Sequence, residues 1–403
     1  MKNWKRNAIF YIIGQFMSMF GSMLVQHAIT WHITLETKSG WVMTLFTCAS
    51  LLPMVLISPF AGVWADRYNR KYLVNISDGV IAFVTLIVAT LYFLGFQSIW
   101  VLLIAVMARS MGQGVQQPAS NALIPQLVPK ESLARFNGIQ STLQSITMFA
   151  APMVSGALLT FLPIQYIFLI DIFTAIIGIA VVFFCVKLTS PPKTDQEGGM
   201  KVYFRDMKEG LSYILGTPWL KTLFIAYALF SVLVSPSAML TPLQVARTFG
   251  DDVWRLTACE LLFAVGMAIG GITMSIWGGF KNKATTIILS LLLFGVTTIL
   301  FGLVPNFGVY LGIMALCGAT LPFFNTTSMT IMQTNVPPEL MGRVFSTVSM
   351  FSGLAMPLGM MIFGPLGDII KIEWIFVMTG ILIIFAALML RGRKEILEVC
   401  VET

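Results

Sequence analysis

Four charged side chains stand inside otherwise apolar stretches: Asp78, Arg109, Asp171 and Glu260. In hydrocarbon such a charge costs about 2.5–3.5 kcal/mol near a helix centre, so each needs a partner, a wet cavity or a task. The task open to a carboxylate in a low-dielectric cavity is carrying a proton, because loss of water and neighbouring charges move its titration. Asp171 is the first candidate, having no basic residue within two helical turns on either side in sequence. Glu260 is the second, with Arg255 and outer-loop water as an alternative, surface-pair explanation. Arg109, near mid-depth of its stretch, would be the movable counter-charge that forces proton release when it approaches a carboxylate. A structural reading stands beside this one, in which Asp171 only hydrogen-bonds a neighbouring helix. Asp78 lies two turns beyond Lys71, and pairing with Arg67 or Arg70 is its expected role.

Uncharged polar residues in the same stretches suggest the lining of a cavity: Gln15, Gln26, His27, Gln113, Gln116, Gln117, Asn121 and Asn325. Some of them can equally serve as hydrogen-bonding contacts between helices. His32, beside Trp31, reads as a residue of the membrane interface. The 25 methionines and 31 phenylalanines suit a roomy site for a bulky apolar ligand, since methionine adapts to irregular shapes.

Other chemistries lack their residues. The five cysteines, Cys48, Cys185, Cys259, Cys317 and Cys400, are scattered with no Cys-x-x-Cys among them. Two histidines five positions apart do not make a zinc-protease motif, and no Gly-x-x-x-x-Gly-Lys is present for ATP hydrolysis. The expectation is therefore a protein that is not an enzyme and needs no metal or cofactor, only a proton gradient.

These side chains must be positioned by membrane helices. Of 403 residues, 57% are hydrophobic and 11% charged, against roughly 25% charged in soluble domains. A span takes about 20 apolar residues. Apolar runs fall at 8–32, 41–64, 73–95, 99–121, 137–162 and 164–187, then at 219–245, 256–278, 285–304, 308–331, 344–367 and 373–390. The fold class is all-α integral membrane, with about twelve transmembrane helices in two pseudo-symmetric six-helix bundles.

The net charge of +7 is explained by topology rather than by nucleic acid. With the N-terminus inside, twenty lysines and arginines fall on cytoplasmic segments and four, Lys38, Arg247, Arg255 and Lys371, on outer ones. Basic residues collect on the cytoplasmic side, so both termini are expected there, in the cell inner (cytoplasmic) membrane. The start of the chain then reads as a first span and not as a cleaved signal.

Residues 1–187 form the expected N-terminal bundle, 188–218 a cytoplasmic linker, and 219–403 the C-terminal bundle with a short tail. Within the linker, Phe204, Met207, Leu211 and Ile214 recur at helical spacing. That pattern fits a short helix on the inner membrane face, or equally one packed on its neighbours. The halves repeat: Val128-Pro129-Lys130-Glu131 through Arg135 recurs as Val336-Pro337-Pro338-Glu339 through Arg343. Pro118 with Asn121 recurs as Pro322 with Asn325. Duplicated bundles of this kind enclose a site near the midplane and alternate its access, and a single chain suffices for it.

Between the second and third spans stands Gly62-Val63-Trp64-Ala65-Asp66-Arg67-Tyr68-Asn69-Arg70-Lys71. It resembles the Gly-x-x-x-Asp-Arg-x-Gly-Arg-Lys/Arg signature of the major facilitator superfamily, with Asn69 in the place of glycine. Asparagine is the next-best residue for a left-handed turn, so the exchange reads as mild. Arg109 to Gly114 resembles a motif of proton-coupled members, while Ala150 to Gly156 is a degraded antiporter motif. The stretch from Phe204 and the run around Arg343 resemble the macrolide-efflux branch of bacterial drug exporters. The resemblance implies a conformational latch of Gly62, Asp66, Arg67, Arg70 and Lys71 against the helix that starts near Arg343.

The resulting expectation is a secondary active exporter of a lipophilic, macrolide-like drug by proton antiport, with the lipid bilayer as its surroundings. Alternatives are a proton-coupled exporter of a siderophore or other amphipathic metabolite, a symporter for uptake, and a non-transporting membrane sensor. A partner ATPase is not decided by one chain.

Overall fold

The computed structural model describes residues 4–186, 200–393 and 395, without the side chains of residues 66, 134 and 200–203. The linker residues 188–199 lie outside the described residues, as does the end of the tail.

The regular structure among the described residues is all helical, with no strand among them. The reason is elementary: in hydrocarbon every backbone N–H and C=O must be satisfied within the protein, and a helix does this within one segment. The first helices are α1 (Trp4–Thr37), α2 (Gly40–Arg67), α3 (Arg70–Phe93), α4 (Ile99–Leu127), α5 (Leu133–Phe161) and α6 (Ile164–Ala180), the last continued by a wider turn at Val181–Cys185. Then come α7 (Met200–Gly216), α8 (Pro218–Met239), α9 (Thr241–Thr248), α10 (Val253–Trp277), α11 (Lys283–Leu303), α12 (Phe307–Asn335), α13 (Pro338–Ile369) and α14 (Ile372–Arg391). With α8 and α9 taken as one segment and α7 set aside, twelve are long and apolar enough to cross a membrane. Each coincides with one of the twelve apolar runs.

The chain divides into two compact units, Met1–Ile33 with Cys48–Tyr203, and Thr34–Thr47 with Phe204–Thr403. In the first unit α3 packs on α4 and α6. Helices α1 and α6 meet through glycines: a Cβ on Gly178 would come within 2.6 Å of the Gly14 carbonyl oxygen. Helices in lipid gain little from hydrophobic transfer between them, so close approach through small residues supplies the contact.

In the second unit α10 packs on α12, and α11 on α14. A Cβ on Gly380 would lie 2.7 Å from the Gly295 carbonyl oxygen, the same device between α11 and α14. This unit includes the turn from α1 to α2. Asp368 near the end of α13 accepts from the N–H groups of Gly40 at 2.7 Å and Trp41 at 2.8 Å. It also accepts from Ser39 Oγ at 2.8 Å and pairs with Arg247 Nη2 at 2.7 Å. A distant carboxylate thus caps the start of α2, where free N–H groups and the helix dipole favour negative charge.

The repeated Val-Pro motif has the same backbone role twice. Val128 and Val336 end α4 and α12 in extended conformation, and Pro129 and Pro337 start the next helical segment. The copies differ where Pro338 enters α13 directly, while Lys130–Ser132 first makes a tighter 3-10 turn. A proline at the first helical position has its φ already set and needs no hydrogen-bond acceptor.

Helix α7 is packed on its neighbour rather than lying free. A Cβ on its Gly210 would come within 2.6 Å of the Arg343 carbonyl oxygen and 2.7 Å of Thr347 Oγ1. Ile214 is buried. Of the two expectations for this helix, the packed one describes the structure.

Candidate functional site

The first unit holds a buried ion pair. Arg109 of α4 places Nη1 2.5 Å from Asp171 Oδ2 of α6. Thr85 of α3 donates to the same oxygen at 3.1 Å, and Ser22 of α1 donates to Asp171 Oδ1 at 3.3 Å. Arg109 also donates to the Thr85 hydroxyl and, through Nη2, to the Ser22 carbonyl at 3.3 Å. Four helices are tied by one pair of charges. The arrangement follows from sequence spacing on α3, where Asn75, Asp78, Ala82 and Thr85 fall on one buried stripe. Arg109 Nε has no partner, so the network is one donor short of complete.

Beside this network the same unit encloses a cavity of about 340 Å³. Five of the expected lining residues, Gln15, Gln113, Gln116, Gln117 and Asn121, face it, and so does Asp78. Gln116 donates to Gln15 Oε1 at 2.6 Å, and Gln15 donates onward to Asp78 Oδ2 at 3.4 Å. Gln140 and Gln144 of α5 also reach the cavity and were missed in sequence; their spacing of four on one helix was the available signal. Met19, Met23 and Met54 supply apolar wall.

Several expectations are corrected. Asp78 does not pair with Arg67 or Arg70; no basic side chain among the described residues reaches it. Arg70 instead donates to the carbonyls of Ala65 and Ala122, each at 2.8 Å. Lys71 Nζ donates to the carbonyls of Phe183 and Val186 at 2.7 Å, satisfying the end of the α6 segment. Trp31, beside His32, is 1% exposed and lies edge-on to His27. His32 faces Tyr92, the ring centroids 6.3 Å apart.

His27 contacts its own helix, Nδ1 lying 2.8 Å from the Met23 carbonyl oxygen. Neither it nor Gln26 is among the residues lining the cavity. Asn325 sits in the second unit, where Tyr227 donates to its Oδ1 at 3.3 Å. Glu260, also in the second unit, lines a smaller cavity of about 110 Å³ with Thr241, Cys259 and Phe263. Arg255 pairs there with Asp252 at 3.2 Å and lies over the rings of Trp254 and Phe307.

The loop motif is built differently from expectation. Asn69 has φ −66° and ψ 113°, an extended residue and not a left-handed one. Its side chain accepts from the Lys71 N–H at 3.0 Å and caps α3. Around Gly62 a Cβ would meet nothing within 4 Å. Arg343 pairs with Asp206 at 3.2 Å and Glu209 at 2.6 Å on α7. The side chain of Asp66 lies outside the described set.

The Major Facilitator Superfamily profile matches residues 11–355 and 253–398. The chain belongs to the major facilitator superfamily. As a member it is a multi-pass membrane transporter and not an enzyme. This transporter is 29% identical over 399 residues to Macrolide efflux protein A of Streptococcus pyogenes, covering 98% of this chain and 97% of that one. It is 23% identical over 383 residues to the Staphyloferrin A transporter of Staphylococcus aureus, covering 92% of each. Its fold matches that of the nucleoside transporter NupG with a TM-score of 0.74 at 15% identity, over 95% of this chain and 99% of that one.

Proposed function

We propose that this transporter exports lipophilic, macrolide-like antibiotics across the cytoplasmic membrane in exchange for protons, with both termini in the cytoplasm. The observation that carries the reading is the full-length likeness to a protein named for macrolide efflux. The first unit supplies compatible chemistry: a cavity walled by glutamines and methionines, beside a buried pair of opposite charges.

In this proposal the coupling element is the Arg109–Asp171 pair. A proton on Asp171 removes the counter-charge of Arg109, and a buried guanidinium without one is costly enough to rearrange its helices. One proton crossing about 100 mV releases roughly 2.3 kcal/mol. That sustains a gradient of a neutral substrate of about fifty-fold.

The test is erythromycin accumulation in energised cells with and without the gene. Export that collapses with a protonophore and ignores vanadate supports the proposal. Vanadate-sensitive export that survives a protonophore replaces it with an ATP-driven partner. A second reading, export of a siderophore, is favoured by the likeness to the Staphyloferrin A transporter. Loss of siderophore secretion on gene deletion, with macrolide susceptibility unchanged, would select it.

A further inference from the structure

The cavity of the first unit has one charged lining residue, Asp78, and no lysine, arginine or histidine. Asp78 is 5% exposed and is held from the protein side by Gln15. An ionised carboxylate buried without a cationic partner is strongly disfavoured. The other buried charges of this unit, Arg109 and Asp171, pair with each other. The charge of an ionised Asp78 is therefore balanced by no cation of the wall, and is left to a proton or to a cation that enters the cavity.

The rest of the wall describes the entrant. The side-chain amides of Gln113, Gln117, Gln140 and Gln144 line the cavity with no hydrogen-bond partner among the described residues, so they offer both donors and acceptors to a ligand. The Gln116–Gln15 chain fixes the orientation of the carboxylate. Met19 and Met54 give a deformable apolar side.

We infer that Asp78 is a recognition residue for the ammonium group of an amphipathic ligand, whose hydroxyl, ether or carbonyl oxygens bind the cavity glutamines. The inference rests on the export reading for its first probe, though not for the chemistry of the site. Glutamines alone would accept neutral and cationic ligands alike; the carboxylate adds the discrimination. An anionic ligand meets a like charge and finds no basic residue.

The experiment uses the full chain in lipid nanodiscs and two probes with one skeleton. Erythromycin carries a tertiary amine that is protonated near neutral pH, and its N-oxide has no net charge. Wild type is expected to bind erythromycin at least tenfold more tightly than the N-oxide. Asp78→Asn, matched in shape, is expected to bring the two within twofold by weakening erythromycin alone, and Asp78→Glu to restore part of the preference. A preference retained in Asp78→Asn overturns the inference. Equal loss of both ligands with an unchanged melting temperature overturns it too, because Asp78 would then act through the cavity's shape. If wild type binds neither probe, the macrolide reading fails while the site is read with tetraphenylphosphonium. Binding of that cation by wild type and its tenfold loss in Asp78→Asn supports the inference; equal binding by both, or by neither, overturns it.

Discussion

Arg109 Nη1 and Asp171 Oδ2 lie 2.5 Å apart where the guanidinium is 2% and the carboxylate 0% exposed. Removing one member of such a pair strands the other, which costs about 3–5 kcal/mol in proteins. Replacing both with apolar groups of similar volume removes that penalty. Arg109→Ala is accordingly expected to lower the melting temperature sharply, and Arg109→Met with Asp171→Leu to recover most of it without recovering proton-driven export. Asp171→Asn is expected to keep substrate binding and lose uphill transport. Melting curves in detergent and transport in proteoliposomes check all three; uphill, pH-gradient-dependent export by the double variant would reduce the pair to a structural clamp.

Asp368 makes three hydrogen bonds to the start of α2 and an ion pair with Arg247. Loss of a helix-capping side chain costs about 1 kcal/mol, up to about 2. Asp368→Ala should therefore cost about 1–2 kcal/mol, and Asp368→Asn less, because its amide oxygen still accepts. Hydrogen exchange at Gly40 and Trp41 should accelerate selectively; unchanged protection there would show that the cap is not what holds this turn.

Gly210 permits the contact of α7 with α13. Gly210→Val forces two helices apart, and overpacking of this kind costs about 1–3 kcal/mol. Arg343→Ala is expected to cost about 1 kcal/mol or less, since its bonds to Asp206 and Glu209 are more than a third exposed. Equal melting temperatures for Gly210→Val and wild type would mean that α7 detaches freely.

Asn69 caps α3 in extended conformation. The family's glycine at this position is therefore expected to bring no relief: Asn69→Gly should cost a few tenths of a kcal/mol and Asn69→Ala about 1. A more stable Asn69→Gly protein would point to a left-handed turn.

Asp66→Ala is expected to insert into the membrane at the normal level and to abolish export, following the family latch. Erythromycin susceptibility against the amount of membrane-inserted protein measures it; full export by this variant removes the latch.

The spans, their number and their ends within a few residues were legible in the chain itself. A run of about twenty apolar residues in hydrocarbon has one way to satisfy its backbone, and that is local. The repeat at Val128 and Val336 was legible for the same reason, since a proline after an extended valine constrains its own neighbours.

The partners of the buried charges were decided only by tertiary structure. Arg109 and Asp171 are 62 positions apart, and nothing in either neighbourhood names the other. Asp78 looked like a partner of Arg70 because it follows it by about two turns on the same helix, yet Arg70 turns to the Ala65 and Ala122 carbonyls. A buried charge is satisfied by whichever group another helix presents at its depth, and that depends on helix rotation and packing, which sequence spacing does not contain. Gln140 and Gln144 entered the cavity for the same reason: periodicity shows which residues share a face, and only the packed bundle decides what that face looks upon.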